Sequence, residues 1–171
     1  MTISMYQATV PPFLQTLEGL ANVLDKAEAF CIAKKIEPSV LVNSRLAPNM
    51  FALARQVQIA CDFAKGASAR LAGLDVPSYT DNEATIADLK ARVAKTVAFV
   101  KSIDAAKIDG SEERDITLKI AGNAVTFKGQ FYLLNCAIPN FYFHLTAAYA
   151  ILRHNGVELG KGDFLGLSLG R

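Results

Sequence analysis

The feature that most constrains this chain is a helical period in its apolar residues, which recurs in four separate stretches and leaves little of the length to anything else. In the first stretch, about Met5 to Leu24, Phe13, Leu17, Leu20 and Leu24 share one face, while Gln15, Glu18, Asn22 and Asp25 fall on the other. A second stretch, Asn49 to Leu71, carries its stripe on Phe51, Leu53, Ala54, Val57, Ala60, Cys61 and Ala64. A third runs to about Ile103 through Ile86, Leu89, Val93, Val97 and Val100, and the last spans about Gln130 to His154. Amphipathic helices must bury their apolar faces against one another, so the expected fold is an all-α four-helix bundle forming a single domain over residues 1–171.

The segments between these stretches can be read from their turn chemistry. Pro11 and Pro12 are expected to kink or reset the first turns. Asp25 to Ile36 reads as a separate, shorter helical piece ending before Pro38. Ser39 to Leu46 alternates and is expected as an extended connection. Gly73 is placed to end the second stretch. Val76 to Thr80 is a Pro-containing loop, and Thr80 or Asp81 can cap the third stretch with Glu83 in its first turn. Between Asp115 and Lys128 the period changes to alternation around Ala121-Gly122-Asn123, which predicts a small β-hairpin before the last helix. Asn155-Gly156 suits the end of that helix, and the glycine-rich tail from Val157 is expected to be a loop that packs Phe164 and Leu165 on the body.

Charge and cysteine usage narrow the function classes. Eighteen basic and sixteen acidic residues leave a formal net charge of +2, which supplies no broad footprint for nucleic acid or an anionic membrane. Phe131 to Leu152 is very apolar, but Asn135, Pro139, Asn140 and His144 interrupt it, so a central bundle helix is expected, not a membrane span. The three cysteines, Cys31, Cys61 and Cys136, are too widely spaced for a CxxC motif. They read as buried free thiols of a reducing compartment, and the N-terminus reads as no signal peptide, so a cytoplasmic protein is expected.

Side chains able to do chemistry are few. The two histidines, His144 and His154, lie ten residues apart on the last helix. At 1.5 Å per residue they are roughly 15 Å apart and about 80° different in direction, too far for one ion. His144 shares a stripe with Ala137, Phe141, Ala148 and Ile151, and Asn140, one turn back, is placed to hydrogen-bond it. His154 suits a C-terminal cap. Asp62, between Gln58 and Lys65, has the spacing of a solvated helix face. No Glu-x-x-His pair, no GxSxG elbow and no phosphate loop is present, Gly160-Lys161-Gly162 having neither the spacing nor the context. Phe131, Tyr132, Phe141, Tyr142, Phe143 and Tyr149 are too many for one narrow stripe, so some face a second layer, a pocket or a partner chain.

Three segments, MYQATVPPFLQTLEGL, LAPNMFALARQVQIACDFAKG and FHLTAAYAILRHNGVELGKGDFLG, resemble a family of unknown function within the DinB/YfiT-like superfamily of metalloenzymes. The likeness covers nearly the whole chain and implies a four-helix bundle, commonly a homodimer. It also implies a divalent metal, zinc or nickel, held by one histidine of the second helix and two of the last, four residues apart. His154 looks like the final ligand, but the position four before it is Ala150, and Asn49 to Leu71 holds no histidine, so Gln56, Gln58 or Asp62 would have to substitute.

These departures lead us to expect no cofactor, with His154 the weak metal candidate. The expected function is a small ligand or partner bound without catalytic metal, around His144, Asn140, Tyr149 and Gln56. One alternative is a metal-dependent enzyme, transferring a thiol or small group with a reduced site at His144 or His154. The other is a homodimeric interaction protein.

Overall fold

A computed structural model describes residues 2–166. Helix α1 (Met5–Lys34) opens on a capping box in which the Ser4 hydroxyl accepts from the Gln7 N–H and the Gln7 side chain accepts from the Ser4 N–H. The helix continues through Pro11 and Pro12 and past Asp25, where a break was expected. No glycine or proline interrupts residues 21–36, and Val23, Leu24, Ala27 and Cys31 extend the buried stripe. Lys35, with φ of 55°, ends it.

A short helix α2 (Pro38–Val42) replaces the extended connection expected from Ser39 to Leu46. Pro38 presets the first helical φ, and Leu41 and Val42 are buried. Helix α3 (Leu53–Leu71) starts later than Asn49 and ends as expected at Gly73, with φ of 68°. Helix α4 (Ile86–Lys101) also starts later than expected: its cap is Thr85, paired with Asp88, not Thr80 or Asp81. Glu83 therefore lies before the helix.

A four-residue helix α5 (Ala105–Ile108) precedes the hairpin. Strands β1 (Asp115–Ile120) and β2 (Asn123–Lys128) pair antiparallel, with Ile116 opposite Phe127 and Ile120 opposite Asn123. The two-residue loop has φ of 48° at Ala121 and 88° at Gly122, the left-handed pair that a tight hairpin with right-twisted strands requires.

The last long stretch is not one regular helix. Helix α6 (Gly129–Tyr132) passes through a π-helical turn at Leu133–Ala137 into helix α7 (Ile138–His154). Pro139 has no N–H to give the carbonyl four residues back, and the wider turn, in which Ile138 N–H reaches Leu133 O, accommodates that loss. Gly156, with φ of 93°, closes α7. Within the tail, Lys161–Leu165 forms a short helix α8.

Helices α1, α3, α4 and α7 make a four-helix bundle. Helix α3 packs between α4 and α7, and α1 lies along α4 and reaches α7. Phe13 meets Phe141 edge to face at 4.7 Å, and Leu17, Leu24, Leu53, Val57, Leu89 and Ile151 fill the centre. Each such large side chain stabilises the fold by about 1.5–3 kcal/mol. Helix α8 lies on α1 at Gly19, where an added Cβ would be 2.7 Å from the Phe164 carbonyl oxygen. Phe164 packs back on the body as expected. Among the described residues, no helix is long and apolar enough to cross a membrane.

Candidate functional site

Because α3 packs against α7, Gln56 is brought to His144. Both side chains lie inside the bundle, Gln56 2% and His144 8% exposed. The Gln56 amide nitrogen donates to the Phe51 carbonyl oxygen at 3.2 Å. A flipped amide would set two oxygens against each other there, so Oε1 is the atom facing the imidazole. It lies 2.7 Å from His144 Nδ1. An amide oxygen only accepts, so Nδ1 carries the proton, and in the neutral ring Nε2 holds a lone pair.

The environment keeps the ring neutral. Burial, and secondarily the Arg55 charge, hold the His144 pKa below its ordinary value. Phe63 stacks on the ring at 6.2 Å and Phe143 meets it edge-on at 5.2 Å. Among the described residues Nε2 has no hydrogen-bond partner, yet it is not one of the fully buried unpartnered polar atoms, which are Ser68 Oγ, Arg92 Nε and Ser111 Oγ. Nε2 is therefore not completely buried. The arrangement is a fixed, uncharged base in an aromatic frame, able to accept a proton or hydrogen bond.

Of the other expected site residues, none joins this pair. Asn140 does not bond His144; its amide donates to the Cys136 carbonyl at 2.7 Å, on the edge of the π-helical turn. Tyr149 is turned toward the tail, its hydroxyl 3.4 Å from the Leu159 carbonyl and its ring edge-on to Phe164. His154 sits exposed at the end of α7. The donor set does not suit a three-ligand metal. Gln56 Oε1 is committed to Nδ1, the residue one turn beyond His144 is Ala148, and among the described residues no group of three His, Cys, Asp and Glu is placed to hold a metal ion.

The cysteines are free, with Cys31 and Cys61 buried and Cys136 only partly so. Burial above all pushes the Cys61 thiol up to about 12 and raises Cys31 and Cys136 as well, so none is poised as a nucleophile.

A second polar cluster escaped the sequence reading. Arg92, its side chain 2% exposed, pairs with Asp62 at 3.0 Å, Asp81 at 2.9 Å and Glu83 at 2.8 Å, and donates to the Thr80 carbonyl. Asp62, expected on a solvated face, thus holds a buried guanidinium and also pairs with Lys65. Burial opposes the Arg92 charge, but the Glu83 hydrogen bond and the Asp62 and Glu83 charges outweigh that and raise its pKa. Burial likewise opposes ionisation of Glu83, and hydrogen bonds from Arg92 and Gln58 override it, leaving the carboxyl below its ordinary range. The cluster straps residues 79–83 onto α3 and α4. Its signal was present in sequence: Arg92 lies three residues after Leu89 and beside Val93, inside an apolar stripe.

The fold and the empty donor set define a DinB-like four-helix bundle without the three-histidine centre. Compared with known families, residues 5–165 match the domain of unknown function DUF1993, and the chain belongs to that family. It is also similar to the crystal structure of a DinB family member protein from Shewanella denitrificans, at 43% identity and a TM-score of 0.85, covering 97% of this chain and 94% of that one. No curated protein matches it.

Proposed function

We propose that the chain is a binding protein that takes up a small ligand at His144 without a catalytic metal. The observation that carries this reading is the fixed tautomer: Gln56 holds Nδ1–H, so Nε2 offers a lone pair at the edge of an aromatic frame. A neutral molecule with a hydrogen-bond donor on an aromatic or apolar body suits that frame. Phenol is the first probe. In a titration followed by NMR it should shift the His144 ring signals saturably, and His144→Ala should abolish that response. Shifts that persist in the variant would sink the reading.

A second reading keeps the metal. An Nδ1–H···O hydrogen bond is also how proteins orient a histidine toward an ion. Two further donors would have to come from outside the His144–Gln56 pair. Calorimetry with zinc and nickel separates the two readings: tight stoichiometric binding that disappears in His144→Ala favours the metal.

The exposed apolar side chains Phe131, Leu134 and Phe143 support a homodimer, which sedimentation at micromolar concentration tests. Three free cysteines fit a reducing cytoplasm.

A further inference from the structure

We propose a second ligand site, independent of His144, where the end of α3 meets the π-helical turn: Arg70 and Tyr132 are its binding residues, and its ligand is a carboxylate.

Arg70 lies in the last turn of α3, partly buried. A cation there often caps the free carbonyls of the helix end. This one does not. Its only hydrogen bond among the described residues runs from Nη1 to the Tyr132 hydroxyl oxygen, at 3.2 Å. Gly66 makes its seat: a Cβ added there would run into Nη1, so the missing side chain lets the guanidinium fold back along α3. Among the described residues no carboxylate stands within ion-pair distance of Arg70. The groups beside it could neutralise its charge only by ionising. Burial above all raises both the Tyr132 hydroxyl and the Cys136 thiol, against the pull of Arg70, so both keep their protons at neutral pH.

Tyr132 adds an independent observation. A guanidinium only donates, so the Tyr132 oxygen is the acceptor of their bond and its own O–H is left to find another partner. Tyr132 is 1% exposed, and among the described residues that O–H has no acceptor. The site therefore combines one unneutralised cation with one buried donor and lacks an acceptor for either. One guanidinium balances one negative charge, and a carboxylate brings that charge on two oxygens, one to accept from Arg70 and one from the Tyr132 hydroxyl. Gln56 and Arg70 are fourteen residues apart on α3, about 21 Å at 1.5 Å per residue, so this site and the His144 site stand or fall separately.

The test is an amide-NMR titration with acetate, against sulfate and chloride at constant ionic strength. Acetate should give saturable shifts at Tyr132 and Cys136. Tyr132→Phe, which removes only the hydroxyl, should weaken binding about tenfold. Gly66→Ala should weaken it at least as much, because the new methyl group displaces the tip of a flexible side chain and meets nothing else. Arg70→Gln should abolish the saturable response, and Arg153→Gln, exposed at the end of α7, should leave it unchanged. Shifts that stay linear or are matched by chloride, sulfate binding more tightly than acetate, or undiminished affinity in a folded Tyr132→Phe, Gly66→Ala or Arg70→Gln protein would each overturn the proposal.

Discussion

His144 Nδ1 lies 2.7 Å from Gln56 Oε1, and that hydrogen bond joins α7 to α3 between two buried side chains. It sets the tautomer of the ring, and the packing of Phe63 and Phe143 sets its orientation. The candidate site is therefore a consequence of the same helix pairing that builds the core.

Replacing Gln56 with leucine should cost about 1–3 kcal/mol of stability, because it leaves the Nδ1 proton buried without an acceptor. Gln56→Glu should raise the His144 pKa, since a carboxylate beside the ring favours the imidazolium. Urea unfolding measures the first change and an NMR pH titration of His144 the second. An unchanged pKa in Gln56→Glu would contradict the contact.

Acid should destabilise the protein in two phases. The folded-state pKa of His144 lies below its ordinary 6.5, so as pH falls through that value the unfolded chain binds a proton that the folded chain refuses. The stability it supports is present above pH 6.5 and drops on acidification. Glu83 behaves similarly below its ordinary 4.5. Measured by urea unfolding across pH, His144→Gln should remove the upper phase and leave the lower one.

Arg92→Leu should destabilise by about 3–5 kcal/mol, because Glu83, 9% exposed in its side chain, keeps a carboxylate that has lost its main partner. Arg92→Lys should fall between, as one ammonium cannot span three carboxylates. A shift in the urea midpoint of less than a tenth of the wild-type value for Arg92→Leu would show that the strap contributes little.

Ala121→Asn should stabilise the hairpin by about 0.5–1 kcal/mol, since Ala121 holds φ of 48° and asparagine tolerates that region better. Thermal unfolding should show a higher midpoint, and a lower one would count against the tight-turn geometry.

The four long helices, the hairpin and the Gly73 and Gly156 stops could be read from period and turn residues because those signals are local. The continuity of α1 beyond Asp25 was also local, since residues 21–36 hold no glycine or proline, although Asp25 to Ile36 reads as a separate piece when taken alone. The π-helical turn depends on where the Pro139 ring falls against the preceding carbonyls, which periodicity does not encode. At the site, His144 and Gln56 were both recognised singly, yet His144 was paired in expectation with Asn140. An i, i+4 neighbour is visible in sequence, whereas an acceptor 88 residues away becomes a partner only once α3 and α7 are packed. The Arg92 strap was missed for the same reason: its carboxylates come from α3 and from the α3–α4 connection.

The central claim is that His144 is a neutral Nδ1–H imidazole with an open Nε2. A long-range proton–nitrogen NMR correlation at neutral pH, on His154→Gln protein so that one imidazole remains, tests it most directly. We predict a protonated Nδ1 and an unprotonated Nε2. A ring protonated on Nε2, or doubly protonated, would contradict the account.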